Sequence, residues 1–251
     1  MPSTTTLFPG VALITGAASG IGQATALSFA REGCLKIAIC DKSAPGLAQT
    51  TAEITAQAPD TQIETIEVDV SDSGSVAAMM RRVVSRRGWV DYVVNAAGIQ
   101  GATKRSLDLT GDEFDAVNGE PLATHDGRAG DRGSDCAYSE SAGGWSGETW
   151  RVTAYCASKS AVMALARCDA IDYSRHNIRV NCVRPGLVET PMALGSPEQR
   201  KMFAPAVAIA LMNRMGRPQE IADACLFLCS SKATFVQGGG VGGGWGGYTI
   251  V

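Results

Sequence analysis

Short apolar runs alternate along this chain with longer segments whose apolar residues recur at helical spacing. Residues 11–14 (Val-Ala-Leu-Ile) form the first run. A run that is apolar throughout, rather than at every second position, reads as a strand buried on both faces. Residues 23–32 follow with Ala24, Leu27, Ser28 and Ala30 on one helical face, and Gly33 closes the segment as a C-terminal glycine does. The cycle repeats with a strand at 35–41, a helix at 44–58, a strand at 62–68, a helix at 73–86 and a strand at 90–94. Strand and helix alternate four times, which predicts the α/β class with a doubly wound parallel sheet. Further on, the pattern predicts a long Ala-rich helix from residue 153, a strand at 178–183 and a last amphipathic helix at 219–230, with 195–211 as a mobile lid.

The first strand ends in a turn carrying Gly16, Gly20 and Gly22, spaced G-x-x-x-G-x-G. Strand, tight turn and helix N-terminus together let backbone approach a pyrophosphate, whose charge meets the unpaired N–H groups of the helix. The spacing departs from the commoner G-x-G-x-x-G, so by itself the turn is equally an ordinary strand-to-helix connection. Asp41, at the end of the second strand and 19 residues after Gly22, is placed to accept hydrogen bonds from ribose hydroxyls and to repel a 2′-phosphate. That favours NAD over NADP, although Lys42 beside it leaves NADP open. Asp69, after the third strand, is positioned to meet the adenine amino group. The fourth strand runs into Asn95-Ala96-Ala97-Gly98, another small-residue turn at a strand's carboxyl end, the edge where such sheets hold ligands.

Tyr155 and Lys159 stand four apart in the predicted helix and so share one face. A phenol with its ordinary pKa of about 10 is a poor acid–base group near neutrality, but a neighbouring ammonium stabilises the phenolate. The pair is a proton-transfer device if it faces the nucleotide, and a solvated helix face if it does not.

Composition narrows the partners. The 251 residues are 45% hydrophobic and 19% charged, with a formal net charge of -3, which gives no electrostatic reason to expect nucleic acid or an anionic membrane. A small molecule is the expected partner. The first residues have no basic and apolar segment of a secretory signal, and no apolar run approaches the roughly 20 residues that span a bilayer. Eight cysteines without a C-x-x-C pair read as buried thiols in a reducing, cytoplasmic setting, and with only His125 and His176 no metal site is expected.

Taken in order, Thr15-Gly16-x-x-x-Gly20-Ile21-Gly22, Asp69-Val70, Asn95-Ala96-Ala97-Gly98, Tyr155-x-x-x-Lys159 and Arg184-Pro185-Gly186 followed by Thr190 resemble the short-chain dehydrogenase/reductase family over residues 10–118 and 153–235. The resemblance implies a single Rossmann-like domain over residues 1–251 and hydride transfer between a nicotinamide cofactor and a carbonyl or secondary alcohol. It implies Tyr155 as acid–base, Lys159 as ribose ligand and phenolate stabiliser, and Asn118 holding a water in the proton relay. Cofactor contacts are expected from Gly16, Ser19, Gly20, Ile21, Gly22, Asp41, Asp69, Asn95, Tyr155, Lys159, Val188 and Thr190. The wording of several stretches is most like fungal members, many of which serve secondary metabolism.

Two regions depart from that pattern. Residues 119–134 have no helical periodicity where the family has a long interface helix, which predicts a monomer or weak homodimer. Residues 135–150 lack the apolar central strand expected there, and Ala142 occupies the position of the family's catalytic Ser, with Ser141 and Ser139 nearby. The glycine-rich residues 237–248 predict a frayed sheet edge. The segments 119–152 and 237–247 are therefore expected to be irregular. They leave a catalytically impaired nucleotide-binding homologue, or an imperfect gene reading, as alternatives to a working enzyme.

Overall fold

The computed structural model describes residues 6–118, 135–139 and 152–242. They build one α/β domain around a parallel sheet whose strands are β1 (Val11–Thr15), β2 (Lys36–Asp41), β3 (Gln62–Glu67), β4 (Tyr92–Asn95), β5 (Asp135–Ser139), β6 (Arg179–Arg184) and β7 (Gly240–Gly242). Their spatial order is β3-β2-β1-β4-β5-β6-β7. The chain thus winds outward from β1 to one edge, returns, and winds to the other. The reversal lies between β1 and β4, and the carboxyl ends of strands at such a reversal form a crevice.

Burial explains why the central strands read as continuous apolar runs. Ala12 and Ile14 of β1 enter the core on one face of the sheet, and Val11 and Leu13 enter the core on the other. The first face is covered by α1 (Gly20–Arg31), α2 (Ala44–Gln57) and α8 (Pro218–Cys229), which supply Phe29, Leu47, Ile54, Ile221 and Leu228. The second is covered by α3 (Ser73–Arg87) and α5 (Thr153–Tyr173), through Val76, Met79, Val83, Ala166 and Ala170. β3 forms one edge of the sheet and alternates accordingly. Its buried Glu64 is met by Arg82 at 2.8 Å, Arg86 at 3.4 Å and Arg87 at 3.6 Å, which pins α3 to that edge.

Two expectations are corrected. Residues 135–139, expected to lack a strand, form β5 in the middle of the sheet, pairing Tyr92–Asn95 on one side and Arg179–Val183 on the other. The strand arises because both neighbours present unpaired backbone groups, which must be satisfied whatever side chains the intervening segment carries. The glycine-rich edge is paired at least in part, since β7 aligns Gly240 with Cys182 and Gly242 with Arg184; residues 243–248 lie outside the described residues. The region expected to be a mobile lid is built from helix: α6 (Pro191–Leu194) is followed by α7 (Pro197–Ile209), which opens on a reciprocal capping box between Ser196 and Gln199. The other helix near the crevice, α4 (Gly111–Asn118), ends at Asn118. The missing interface helix at 119–134 and the Ala142 position fall outside the described residues. Among the described residues no helix is long and apolar enough to cross a membrane.

The helical insertion between β6 and α8 is closed at its base. Gly216 N donates to Leu187 O at 2.8 Å and Glu189 N donates to Gly216 O at 2.9 Å. Arg214 then grips Glu220 through two bonds of 2.8 and 2.6 Å, and Arg217 N donates to the same carboxylate at 2.7 Å. The Arg214 hydrogen bond, followed by that from the Arg217 backbone, holds the Glu220 carboxyl down at about 2. A depressed carboxylate stabilises the folded state above its unfolded pKa of about 4.5, and that contribution is lost as pH falls toward 2. We expect part of the fall in thermal midpoint between those pH values to disappear in Glu220→Gln, measured by scanning calorimetry against the parent; parallel curves would exclude the clamp as a contributor.

Candidate active site

The crevice begins at the turn after β1. Gly16 has φ +67°, and a Cβ there would lie 2.6 Å from Ala97 N and 2.7 Å from the Ala96 carbonyl. The turn after β1 is therefore pressed against the turn after β4 at a distance only glycine permits. Gly22 allows a second close approach, because its Cβ would stand 2.2 Å from Gly16 O, where the first turn of α1 sits on the strand end. Surrounding bonds fix this geometry. Ala97 N donates to Thr15 Oγ1 at 3.3 Å, and Thr50 Oγ1 on α2 donates to Ala17 O at 2.8 Å. Ser19 is the N-cap of α1, yet its hydroxyl makes no capping bond, and the first turn of the helix carries no acid. A helix N-terminus with an uncommitted hydroxyl is suited to bind an anionic group.

The strand-end acids flank this turn. Asp41 Oδ2 accepts from Ala18 N at 3.1 Å and its Oδ1 accepts from Ser43 N at 2.9 Å, so the carboxylate braces the glycine turn from the side. Asp69 Oδ1 accepts from Ser71 N at 2.9 Å and from Ser71 Oγ at 2.7 Å. These two bonds, the backbone one foremost, hold its carboxyl below the usual range and keep it an anionic acceptor.

Across the crevice, α5 begins immediately after Val152, whose backbone bridges to Lys104 in the loop that follows β4. Lys104 Nζ bonds Glu113 Oε1 on α4 at 2.6 Å, so this loop is tied to both α4 and α5. Tyr155 and Lys159 stand on the first turns of α5, with the Lys159 ammonium 5.3 Å from the centre of the Tyr155 ring. That is the range of a cation–π contact, and it holds the positive charge beside the phenol.

One cleft of about 260 Å³ joins these elements. Of the residues expected from sequence, Gly16, Ser19, Gly20, Ile21, Asp41, Asp69, Tyr155, Lys159, Val188 and Thr190 line it. Gly22, Asn95 and Asn118 do not. Gly22 is buried under the turn and acts by permitting it, and Asn95 is buried at the end of β4. Asn118 Nδ2 donates to Phe114 O at 2.9 Å and to Ala154 O at 3.4 Å, which joins it to the residue before Tyr155. The lining also includes Val68, Ile99, Gln100, Val152 and Phe203, which sequence reasoning missed. Their positions after strands, or at the start of α5 and on the insertion, are the only signal that could have found them.

A nicotinamide dinucleotide fits this set. The glycine turn leaves open a space that a side chain would fill, α1 offers its N–H groups and Ser19, and the strand-end acids stand where ribose and adenine donors would lie.

Comparison with known proteins agrees. Residues 10–118 match the family model described as short chain dehydrogenase, and residues 133–243 match that described as enoyl-(acyl carrier protein) reductase. The chain is 34% identical to the short-chain dehydrogenase fogB of Aspergillus ruber, over 92% of this chain and 94% of that protein. It superposes on the crystal structure of levodione reductase with a TM-score of 0.88 at 31% identity, covering 95% of this chain and 97% of the other. It superposes on NAD+-bound xylitol dehydrogenase with a TM-score of 0.82 at 26% identity, covering 96% and 99%. Other solved neighbours are complexes with NADH or NADPH. With this fold, this cleft and relatives matched along nearly their whole length, the chain belongs to the short-chain dehydrogenase family and is an oxidoreductase of the nicotinamide-dependent kind.

Proposed function

We propose that the protein interconverts a small secondary alcohol and its carbonyl compound with NAD as cofactor, Tyr155 being the acid–base. One observation carries this reading: Tyr155 and Lys159 open onto the same cleft as the glycine turn and Asp41. The dinucleotide, when bound, supplies the hydride acceptor or donor. The Tyr155 oxygen takes the hydroxyl proton in oxidation and returns it in reduction. Lys159, with its charge beside the ring, favours the phenolate and would hold the nicotinamide ribose. Val188 and Thr190 wall the nicotinamide end, while Gly16, Ser19, Gly20 and Ile21 hold the pyrophosphate and Asp69 the adenine. Asn118 acts as a positioning residue, tethering the end of α4 to the start of α5.

NAD is favoured over NADP because a carboxylate at Asp41 repels a further phosphate on the ribose, with Lys42 the only nearby compensation among the lining residues. The buried thiols of Cys34, Cys40, Cys182, Cys225 and Cys229 suit a cytoplasmic setting, and the likeness to the Aspergillus ruber protein supports a fungal source and secondary metabolism. Because residues 119–134 carry no helical periodicity in the sequence, the interface they would build is weak and the protein is a monomer or weak homodimer.

Three measurements test these assignments. Tyr155→Phe should abolish turnover, by at least about 10³-fold, while NADH affinity stays within about threefold; retained turnover would refute Tyr155 as the acid–base. Asp41→Asn should reduce the NAD-over-NADP preference in dissociation constants by about tenfold or more, through loss of the charge that repels phosphate. Light scattering should give the mass of one chain at low micromolar concentration, and a stable tetramer would exclude the weak interface.

A further inference from the structure

Tyr155 lies in the first turn of α5, where backbone N–H groups have no partner inside the helix. The first bond of the helix runs from Cys156 N to Val152 O at 3.0 Å, and Val152, at the N-cap, has no polar side chain with which to close the helix end. Lys159 stands a turn further in. The approach of ring and ammonium therefore depends on whether the first turn of α5 stays wound, and helix ends fray unless something holds them.

That turn is held from outside. Lys104 pairs through its backbone with Val152, the residue on which the helix starts. Its ammonium meets Glu113 Oε1 on α4 at 2.6 Å. Glu113 is itself fixed, because its Oε2 accepts from Thr110 N at 3.0 Å and from Thr110 Oγ1 at 3.2 Å, closing the start of α4. An exposed ion pair is usually weak because two long side chains must be ordered to make it; here one of the two is ordered in advance. The other end of α4 meets the same loop and the same turn. A Cβ on Gly101 would lie 2.3 Å from Val117 Cγ2, and Asn118 Nδ2 donates to Ala154 O at 3.4 Å. The loop after β4, α4 and the first turn of α5 thus form a closed triangle, and Lys104 is the corner that joins the loop to both helices.

Resting on the reading of Tyr155 as the acid–base, we infer that Lys104 and Glu113 are positioning residues that keep the first turn of α5 wound and so hold the phenol beside the Lys159 ammonium. With the pair broken, the loop no longer fixes Val152 and the first turn frays. The phenol then loses part of the charge that favours its ionised form, while Lys159 stays in the wound part of the helix.

The test reads the ionisation of Tyr155 itself, in full-length protein without substrate. Carbon NMR of protein labelled at the tyrosine ζ carbon follows it, with the Tyr155 resonance assigned by its loss in Tyr155→Phe. Lys104→Met and Glu113→Gln should each raise the pH at which Tyr155 ionises by about half a unit, the scale of one exposed ion pair. Their agreement in sign is the discriminating result. Acting merely as charges, loss of the ammonium would raise that pH and loss of the carboxylate would lower it. Lys104→Arg, which keeps the pair, should titrate with the parent. Asp41, Lys42 and Asp69, which line the cleft from the ends of β2 and β3, are the same in every variant. NADH affinity should stay within about threefold, because the glycine turn lies across the crevice from the triangle. Shifts of opposite sign, no shift in either variant, or a parallel loss of NADH affinity would overturn the inference; if one variant fails to fold, the other is judged against Lys104→Arg. No turnover enters these measurements, so retained turnover in Tyr155→Phe would refute the acid–base reading without altering what the titration says about the phenol's position.

Discussion

The contact on which the site depends is the approach of two backbones at the sheet's point of reversal. Gly16 lies against Ala96 and Ala97 so closely that any side chain would overlap them. With that contact made, the turns after β1 and β4 form the floor of a crevice, and α1 must start with its N–H groups at the crevice rim. The neighbouring polar groups all serve the same end. Thr15 accepts from Ala97, Thr50 donates to Ala17 and Asp41 accepts from Ala18, so three elements hold one short turn. A loose turn could not present several donors to a phosphate at once, since each would have to be ordered when the ligand arrives.

The opposite wall is secured by different means. The insertion carrying α6 and α7 departs from and returns to one bridge between Val188 and Gly216, and the bidentate Arg214–Glu220 pair locks the return. The loop after β4 is similarly tied to α4 and α5 through Lys104. The chemistry therefore sits between a floor fixed by backbone sterics and a wall fixed by a few polar ties at its base.

Membership of the short-chain dehydrogenase family places this arrangement among enzymes that move hydride to or from nicotinamide dinucleotides. Between α4 and α5, a segment whose composition is poor in apolar residues nonetheless yields β5. Its composition argued against a strand. The gap between β4 and β6 decided the matter, because each flanking strand offers a row of backbone donors and acceptors that only another strand can satisfy.

Local sequence determined what depends on neighbours along the chain. The alternation of apolar runs and helical periodicities gave β1 to β4 and their helices to within a few residues. The glycine spacing marked the phosphate turn, and the i, i+4 relation placed Tyr155 and Lys159 on one face. Tertiary structure alone decided that Gly22 works beneath the turn rather than in the cleft, that Asn118 is bonded to the backbone of Ala154, and that helices α6 and α7 wall one side of the crevice. It also brought Gln100 to one pocket with Met192 and Phe203, although it stands about a hundred residues before them in sequence. The physical reason is the same in each case. Periodicity and capping are properties of contiguous residues, whereas the walls of a cleft are set by how distant segments satisfy each other's backbone groups and bury each other's apolar faces.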